Sequence, residues 1–415
     1  MKHAQCRFCQ SPLQETFADL GMSPLSNAYL RPGRLREMEA FFPLHAFVCG
    51  KCWLVQLEEF ESPQRIFSDY AYFSSFSDSW LKHAEAYCKK MTELWGLGAG
   101  SQVVELASND GYLLQYFKQR GVPVLGVEPA ENVARVAVEK GIPTEVMFFG
   151  AETAKHLKGK GYAADLLLGN NVLAHVPDLN GFVRGMQVLL KPNGVITMEF
   201  PHLLRLMEQN QFDTIYHEHF SYFSLLTVEK VFAHHGLTIF DVEELPTHGG
   251  SLRIFARHAS PPAGVPERPV TAAVGKLRDA ELRSGLGDFA AYRAFSEQVK
   301  RTKRKLLEFL VRAKDEGKKI VGYGAAAKGN TLLNYCGVRT DMIDYVVDRS
   351  PHKQGLYLPG THIPICSPDR IRETRPDYVL ILPWNLREEI AGQVKFISEW
   401  GGQFVVPIPE VKVFS

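Results

Sequence analysis

Residues 103–111 read Val103-Val104-Glu105-Leu106-Ala107-Ser108-Asn109-Asp110-Gly111, and this stretch decides the fold. It joins an apolar strand to a small polar turn that contains glycine, and a helix then begins at Tyr112. From Ser101 onward, apolar strands alternate with helices, which is typical of a mostly parallel sheet covered on both faces. Doubly wound sheets bind their ligands at such a turn. We therefore expect an α/β chain with a ligand site here.

Acidic residues near this turn indicate the charge of the ligand. The turn lacks the pattern Gly-x-Gly-x-x-Gly, and it carries Glu105 and Asp110, which would repel a dinucleotide's pyrophosphate. The next strand, Val124–Val127, ends in Glu128, at a position where an acid can accept hydrogen bonds from ribose hydroxyls. We expect S-adenosylmethionine here rather than a nicotinamide cofactor. Taken singly, Glu105 could serve only the turn, and Glu128 could be a solvated strand end.

Two later segments are expected to complete the cofactor pocket. Residues 147–149 could form a wall for the adenine, and residues 166–177 read as the fourth strand and its following loop. That loop ends near His175, which is either a substrate contact or a partly buried imidazole; the asparagines beside it favour the pocket. The predicted cofactor-binding residues are Glu105, Ala107, Ser108, Asn109, Asp110, Gly111, Glu128, Phe149 and Asn171.

Four of the seven cysteines form two Cys-x-x-Cys pairs, Cys6/Cys9 and Cys49/Cys52. Each pair can give two thiolates to one tetrahedral zinc, and four thiolates leave no open position for water or substrate. We therefore expect a structural zinc site in a ribbon-like module of short strands rather than disulfides. The remaining cysteines, Cys88, Cys336 and Cys366, read as small buried residues.

The run Tyr216-His217-Glu218-His219-Phe220 concentrates acid-base chemistry in five positions. An imidazole beside a carboxylate and a phenol can remove a weakly acidic proton from carbon and stabilise the resulting oxyanion. The same cluster could instead bind a metal or brace the loop. An extended segment would place His217 and His219 on one face, whereas a helix would place Tyr216 and Phe220 together.

A second strand-turn-helix unit lies near the C-terminus. Lys318-Lys319-Ile320-Val321-Gly322-Tyr323-Gly324 predicts a strand that enters a glycine turn, with a helix from about Ala325 to Leu333. Gly322 and Gly324 would let a phosphate approach the helix N-terminus, and Lys328 adds positive charge. A purely structural domain is the alternative. A charged helix over Phe295 to Lys314 precedes this unit, and we expect it to be a solvated connection.

Composition and charge limit the classes of protein to which this chain can belong. The chain has 415 residues, a formal charge of +1 and 45% hydrophobic residues, which indicates an ordinary globular protein of two or three domains. The charge does not suggest a nucleic-acid partner, and no apolar stretch approaches the length of a membrane span. The N-terminus lacks the features of a signal peptide. We expect a cytoplasmic monomer that acts on a small molecule.

The chain resembles the sugar C-methyltransferases that act on nucleotide-linked 4-ketodeoxysugars. The resemblance spans nearly all 415 residues. It rests on the cysteine pairs, Tyr70-Ala71-Tyr72, the turn at residues 105–111, the His175 loop, the run at residues 216–220, His248-Gly249-Gly250-Ser251-Leu252-Arg253 and Gly322-Tyr323-Gly324-Ala325-Ala326-Ala327-Lys328.

This resemblance implies a mechanism and a set of roles. Neutral His219 would remove the C3 proton of a 4-ketosugar carried on a nucleoside diphosphate, most simply thymidine diphosphate, with Tyr216 and Glu218 flanking the base. Glu218 would orient the imidazole, and the resulting carbanion would attack the sulfonium methyl group. Tyr70 and His175 would lie at the sugar, and Gly324 and Lys328 at the nucleotide. The rival hypotheses are a nicotinamide-dependent nucleotide-sugar oxidoreductase and a binding protein built on a relict methyltransferase.

These expectations divide the chain into three parts. Residues 1–65 would form the zinc-binding domain, and residues 66–258 the doubly wound methyltransferase domain. Residues 259–415 would form a helical linker and a Rossmann-like domain that binds the nucleotide sugar. Tyr70 falls in a hydroxyl-rich aromatic loop over residues 66–75, which could equally be packed or contact a polar ligand.

Overall fold

Strands form where runs of β-branched and apolar residues are buried, as at Val103–Leu106, where all four residues are buried. The computed structural model describes residues 4–62 and 73–415. In chain order, the strands are β1 (Glu15–Ser23), β2 (Phe42–Val48), β3 (Val55–Leu57), β4 (Val103–Leu106), β5 (Val124–Val127), β6 (Thr144–Glu145), β7 (Ala164–Asn170), β8 (Leu190–Pro201), β9 (Ser221–Tyr222), β10 (Leu237–Leu245), β11 (Ser251–His258), β12 (Ile320–Tyr323), β13 (Val346–Val347), β14 (Ile365–Cys366), β15 (Tyr378–Ile381), β16 (Gln403–Val406) and β17 (Lys412–Phe414).

Local capping sets several helix ends. The Ser77 hydroxyl accepts a hydrogen bond from Trp80 N at the start of the first helix, and Gly96 ends that helix in a left-handed conformation. Within the described ranges, no helix is long and apolar enough to cross a membrane. In chain order, the α-helices are α1 (Asp78–Trp95), α2 (Leu114–Gln119), α3 (Glu131–Glu139), α4 (Ala151–Gly159), α5 (Leu179–Leu189), α6 (Leu203–Glu208), α7 (Leu225–His234), α8 (Ala272–Arg283), α9 (Phe289–Asp315), α10 (Ala327–Cys336), α11 (Arg370–Thr374) and α12 (Arg387–Gln393).

The central sheet has the strand order β10-β11-β8-β7-β4-β5-β6. The pairs from β4 to β8 run parallel, whereas β10 and β11 are antiparallel to their neighbours. The chain runs outward from β4 to β6 and then returns to β7 on the other side of β4. This reversal opens a crevice beyond the carboxyl ends of β4 and β7. The predicted doubly wound sheet is confirmed, and the turn at residues 107–111 lies at its switch point.

The N-terminal sheet has the order β1-β2-β3-β9, so its last strand comes from a much later part of the chain. In the β3–β9 ladder, Val55 pairs with Tyr222 and Gln56 with Ser221. This strand directly follows the Tyr216–Phe220 run. The N-terminal module is therefore joined by backbone hydrogen bonds to the candidate catalytic segment.

The C-terminal sheet has the order β14-β13-β12-β15-β16-β17 and is parallel except for β17. Its chain direction also reverses, between β12 and β15, which gives a second crevice near Gly324. A Cβ on Gly324 would come within 2.5 Å of Pro383 Cδ, and the residue has a φ of +95°, so glycine is needed there. The predicted second Rossmann-like unit is confirmed.

Helix α9 differs from the expected solvated connection. It begins at Phe289 rather than Phe295 and buries one face along much of its length. Phe295 stacks on Phe17 of β1 with ring centroids 4.6 Å apart, and Tyr292 meets the same ring edge-on at 6.0 Å. The charged residues that suggested solvation occupy the opposite face. The helix therefore packs the C-terminal region against the N-terminal sheet.

Candidate active site and zinc centre

The turn after β4 has three residues in the left-handed region of backbone conformation. Ala107, Asn109 and Gly111 have φ values of 54°, 50° and 76°. A Cβ on Gly111 would lie 3.0 Å from Ile142 Cγ1, and this tight approach together with the positive φ favours glycine. Non-glycine residues with positive φ often mark functional loops. The turn lies at the switch point of the sheet, where a doubly wound fold binds its ligand.

Glu128 at the end of β5 holds this turn in place. Its Oε2 accepts from Asn109 N at 2.9 Å, and its Oε1 accepts from Ala130 N at 2.8 Å. Each carboxylate oxygen can accept a second hydrogen bond, so a ribose hydroxyl remains compatible with this arrangement. Burial raises the pKa of Glu128 to about 7, although the two backbone donors oppose the rise. Glu128 thus positions the loop, in addition to its predicted role as an acceptor for the ribose hydroxyls.

The crevice is acidic. Burial raises the pKa of Glu105 well above its usual value, and the charges of Asp110 and Glu128 add to the rise, while Tyr112 opposes it. Lys140 Nζ lies 3.2 Å from Asp110 Oδ2 and balances one of these charges. Such a site favours a ligand that brings positive charge.

Unsatisfied buried groups in the crevice support this conclusion. Each would lose free energy without a partner, so a ligand that supplies donors and acceptors is expected. A sulfonium cofactor with an amino-acid tail has both the charge and the hydrogen-bonding groups. The buried atoms that have no hydrogen-bond partner among the described residues include Ser108 Oγ, Asp110 Oδ1, Asn170 Nδ2 and Asn171 Oδ1.

Phe149 and Asn171, two further predicted cofactor-binding residues, have different surroundings. The Phe149 ring meets Phe182 of α5 edge-on, with centroids 5.3 Å apart, and is partly buried in the methyltransferase core. Asn171 has a φ of 55°, and its Nδ2 lies 3.0 Å from His248 Nε2. Asn171 therefore links the loop that follows β7 to the His248-Gly249-Gly250 turn.

The Tyr216–Phe220 run is neither extended nor helical, so both predicted arrangements of its side chains are wrong. His219 N donates to Tyr216 O at 2.8 Å, which closes a tight turn. His217 faces the N-terminal module, where its Nε2 lies 3.2 Å from Pro43 O. The His219 ring lies instead against Tyr216, with centroids 4.0 Å apart. The two histidines consequently point to different surroundings.

The His219 imidazole is held in a neutral form with a fixed tautomer. Its Nδ1 lies 2.9 Å from the Thr214 carbonyl oxygen, which can only accept, so Nδ1 carries the proton and Nε2 keeps its lone pair. Burial and the neighbouring His175 lower the pKa of His219 well below its usual value. The ring is therefore uncharged at neutral pH and can accept a proton at Nε2.

Glu218 does not orient this imidazole, contrary to the expectation from the family. Its Oε1 accepts from Asn27 Nδ2 at 2.7 Å, and Asn27 belongs to the N-terminal module. Burial raises the pKa of Glu218 to about 7, and the Asn27 hydrogen bond opposes that rise. The Thr214 carbonyl takes the orienting role, while the carboxylate binds Asn27. Neither Asn27 nor Thr214 belongs to a motif that suggests such a contact.

His175 lies beside the candidate base. It ends a short 3₁₀ turn, Leu173–His175, and its ring centroid is 4.7 Å from that of His219. Burial lowers the pKa of His175 to about 4, which keeps this second imidazole neutral as well. The structure thus brings His175, His219 and Tyr216 together. Tyr70 lies outside the described residues.

His248 and Lys328 close the site from the C-terminal side. Desolvation lowers the pKa of His248 to about 4, and the positive charge of Lys328 lowers the pKa values of both His248 and His219. Lys328 Nζ contacts Asn385 Oδ1 at 2.9 Å and lies 4.7 Å from the centroid of the Trp384 ring. His248 was not among the residues predicted from sequence to form the site. The two glycines that follow it could have indicated a tight turn there.

The Gly324 turn is less basic than expected. Asp348 Oδ2 accepts from Ala325 N at 2.8 Å, and Lys353 Nζ lies 3.6 Å from the same oxygen. Tyr29 of the N-terminal module donates its hydroxyl to Ala325 O at 2.6 Å. The Asp348 carboxylate therefore already accepts from one of the backbone N–H groups that a phosphate would use. Lys328 and Lys353 supply the positive charge of this crevice.

The four cysteines of the N-terminal module converge as predicted. Their sulfur atoms all lie within 4.8 Å of one another, and the Cys6–Cys52 and Cys9–Cys49 sulfur pairs are each 3.5 Å apart. These separations are too long for disulfides, whereas zinc bonds of about 2.3 Å in a tetrahedron place sulfurs roughly 3.8 Å apart. Gln56 Nε2 also donates to Cys6 Sγ at 3.2 Å. The residues fit a closed zinc site that has no catalytic position.

This cysteine cluster is the metal-binding arrangement found in the described part of the chain, and the histidines of the Tyr216–Phe220 run do not form another. The metal alternative for that run therefore has no support. Cys88 and Cys336 are buried and Cys366 is partly buried, in agreement with their predicted packing roles.

Comparison with known proteins gives three consecutive family matches. Residues 6–67 match a family described as "Putative zinc binding domain", residues 79–242 match "Methyltransferase domain", and residues 246–409 match "C-methyltransferase C-terminal domain". They follow the order of the three sheets along the chain.

The relatives include one of nearly full length. C-methyltransferase NovU from Streptomyces niveus is 37% identical over 411 residues, which cover 99% of this chain and 97% of NovU. A ubiquinone biosynthesis O-methyltransferase from Bartonella bacilliformis is 28% identical over 102 residues, 24% of this chain and 40% of that protein.

Among solved structures, the PH0226 protein from Pyrococcus horikoshii OT3 matches 48% of this chain and 99% of its own, with 16% identity and a TM-score of 0.36. A TM-score this low supports no inference about activity. The conclusion rests on the full-length likeness to NovU and on the three family matches. The chain belongs to the family of S-adenosylmethionine-dependent C-methyltransferases that carry an N-terminal zinc-binding domain.

Proposed function

We propose that this C-methyltransferase acts on a 4-ketodeoxysugar linked to a nucleoside diphosphate and methylates it at C3. The observation that carries the proposal is the environment of His219. A neutral imidazole, fixed through Nδ1 by the Thr214 carbonyl, presents its free Nε2 beside His175 and Tyr216. This arrangement suits removal of a proton from a carbon next to a ketone.

The ketone makes that removal feasible because the negative charge moves to its oxygen. A donor near the developing oxyanion stabilises it, and Tyr216 and His175 both lie at the base. Burial lowers the pKa of His175 to about 4, and a hydrogen bond to the backbone of Glu218 opposes this fall, so the single N–H of the neutral ring is already used and Tyr216 is the proposed donor. Tyr70 is a further candidate from sequence.

S-adenosylmethionine supplies the electrophilic methyl group when it is bound. The residues proposed to hold it are those of the β4–β7 crevice: Asp110 by charge, Glu105, Glu128, Asn109 and Asn171 by hydrogen bonding, and Phe149 at the adenine. The chain's own contribution is then to hold the sugar carbon in line with this group, which accelerates the transfer by positioning.

The nucleotide end is assigned to the C-terminal crevice. Lys328 lies near both His219 and His248 and also contacts Asn385 beyond β15, so it bridges the base and this crevice. A diphosphate bound near Gly324 and Lys328 would place the sugar toward His219. We further propose thymidine as the nucleoside and a monomer as the active form.

One experiment separates this proposal from other substrates. The purified protein is incubated with S-adenosylmethionine and a panel of nucleoside-diphosphate sugars that differ only in carrying the ketone at C4 or a hydroxyl. Mass spectrometry should show gain of one methyl group only with the 4-ketosugars, and fragmentation should place it at C3. Methylation of the hydroxyl sugars, or of oxygen instead of carbon, would contradict the proposed chemistry.

A further inference from the structure

Arg7 lies inside the first cysteine pair, and its guanidinium bridges the zinc module and the loop that follows β7. Its Nη1 donates to Pro177 O at 2.8 Å, and its Nη2 donates to Leu57 O at 2.5 Å. Pro177 belongs to the loop that carries His175. The guanidinium also lies 5.3 Å from the centre of the Phe220 ring, next to His219. A side chain anchored by the metal loop thus touches both segments that hold the candidate imidazoles.

Backbone contacts reinforce the same junction. Leu57 N donates to Phe220 O at 3.1 Å, and Phe220 N donates to Ala174 O at 2.7 Å. Backbone hydrogen bonds therefore connect the zinc module to the His219 segment, and that segment to the His175 loop. Each link lies within one or two residues of the imidazole that it would fix.

Gln56 ties this junction back to the metal ligands. Its Oε1 accepts from Arg7 N at 2.8 Å, while its Nε2 donates to Cys6 Sγ at 3.2 Å. On the other side, Asn180 Nδ2 of α5 donates to Arg7 O at 3.2 Å and to Phe8 O at 3.0 Å. The loop that bears Arg7 is fixed at both ends, so movement of the metal ligands would be transmitted to the guanidinium.

We infer that Arg7 is a positioning residue through which the zinc module sets the placement of His175 relative to His219. Its planar guanidinium has donors in a fixed geometry and can bridge two carbonyl groups, whereas a lysine ammonium offers one compact charge. The zinc is thereby a scaffold for the catalytic loops as well as for its own module. This inference rests on the proposed roles of the two histidines.

The test uses Arg7→Lys in the full-length, zinc-loaded protein. Zinc content and the Kd for S-adenosylmethionine should stay within about 2-fold of wild type, because neither site loses a contact. The value of kcat should fall on the order of 10-fold to 100-fold, since displacements near 1 Å at a reacting group can cost about 100-fold. KM for the sugar should change much less. Arg34→Lys is the control, because Arg34 pairs with Glu37 on the surface of the same module.

A structural readout distinguishes this inference from the proposed function. The ¹H–¹⁵N signals of the His175 and His219 rings should shift in Arg7→Lys and stay fixed in Arg34→Lys, whatever the substrate proves to be. Unshifted imidazole signals, or an unchanged kcat, would overturn the inference. If Arg7→Lys loses zinc, Asn180→Ala decides, because it releases the Arg7 and Phe8 carbonyls from α5 while leaving all four thiolates in place. Imidazole signals that stay fixed in Asn180→Ala would then overturn it.

Discussion

Replacing Glu128 by glutamine tests the acidic cofactor crevice through its pH dependence. The pKa of this buried side chain rises from 4.5 to about 7, mainly because burial disfavours its charge. Because the folded state binds this proton more tightly than the unfolded state does, protonation of Glu128 stabilises the folded protein. The stabilisation is complete below pH 4.5 and is lost as pH rises through about 7. At 1.36 kcal/mol for each pH unit, the free energy of unfolding of wild type should lose about 2 to 3 kcal/mol between pH 5 and pH 8 through this group.

Glu128→Gln cannot titrate, so it escapes that loss. Its amide has only one acceptor oxygen, and either Asn109 N or Ala130 N loses its partner, at a pH-independent cost of about 1 to 3 kcal/mol. The free energy of unfolding of the variant, relative to wild type, should therefore rise by about 2 to 3 kcal/mol from pH 5 to pH 8. Urea unfolding at both pH values measures it.

Glu131→Gln is the matched control, since Glu131 is an exposed acid at the start of α3. A difference between Glu128→Gln and wild type that is the same at both pH values would refute the reasoning. In the same protein, calorimetry at pH 8 should show affinity for S-adenosylmethionine weakened by about 1.5 to 3 kcal/mol through loss of a charge-assisted hydrogen bond. An unchanged Kd would remove Glu128 from the cofactor site.

Three further predictions address the other parts of the molecule. Cys49→Ser should lower zinc content, measured by elemental mass spectrometry, together with solubility, because it removes one of four thiolates; fully active, zinc-free protein would contradict a folding role. Asn27→Ala should raise the pKa of Glu218 further above about 7, because it removes a donor to the carboxylate, and a ¹³C titration of that carboxyl that does not move would contradict this. Lys328→Met should raise KM for the nucleotide sugar at least several-fold and leave the Kd for S-adenosylmethionine unchanged, and equal losses for both ligands would argue against a nucleotide site there.

Sequence patterns predicted the sheets and the metal cluster because both depend on local regularities. Alternating apolar strands and helices indicated the parallel sheet, and the polar turn at residues 107–111 lies at its switch point. The spacing of Cys6 and Cys9, repeated at Cys49 and Cys52, was sufficient to predict the zinc site. The domain bounds at residues 65 and 258 stay predictions.

The arrangement of the base could not be predicted from sequence, because it depends on contacts between distant segments. Thr214 orients His219 through a backbone carbonyl, which any residue type would supply. Asn27 reaches Glu218 across 191 positions of sequence and binds its carboxylate. Adjacent titratable residues suggested direct pairing, whereas tertiary packing separated them.

Proton exchange at the substrate carbon tests the central claim most directly. Wild type is incubated in deuterated water with the 4-ketosugar nucleotide and without methyl donor, and deuterium at C3 is followed by NMR. His219→Asn should keep fold and affinity for S-adenosylmethionine yet lose this exchange, because the proton acceptor is gone, whereas Tyr216→Phe should retain it. Exchange that persists in His219→Asn and disappears in Tyr216→Phe would identify the phenolate as the base and contradict the account.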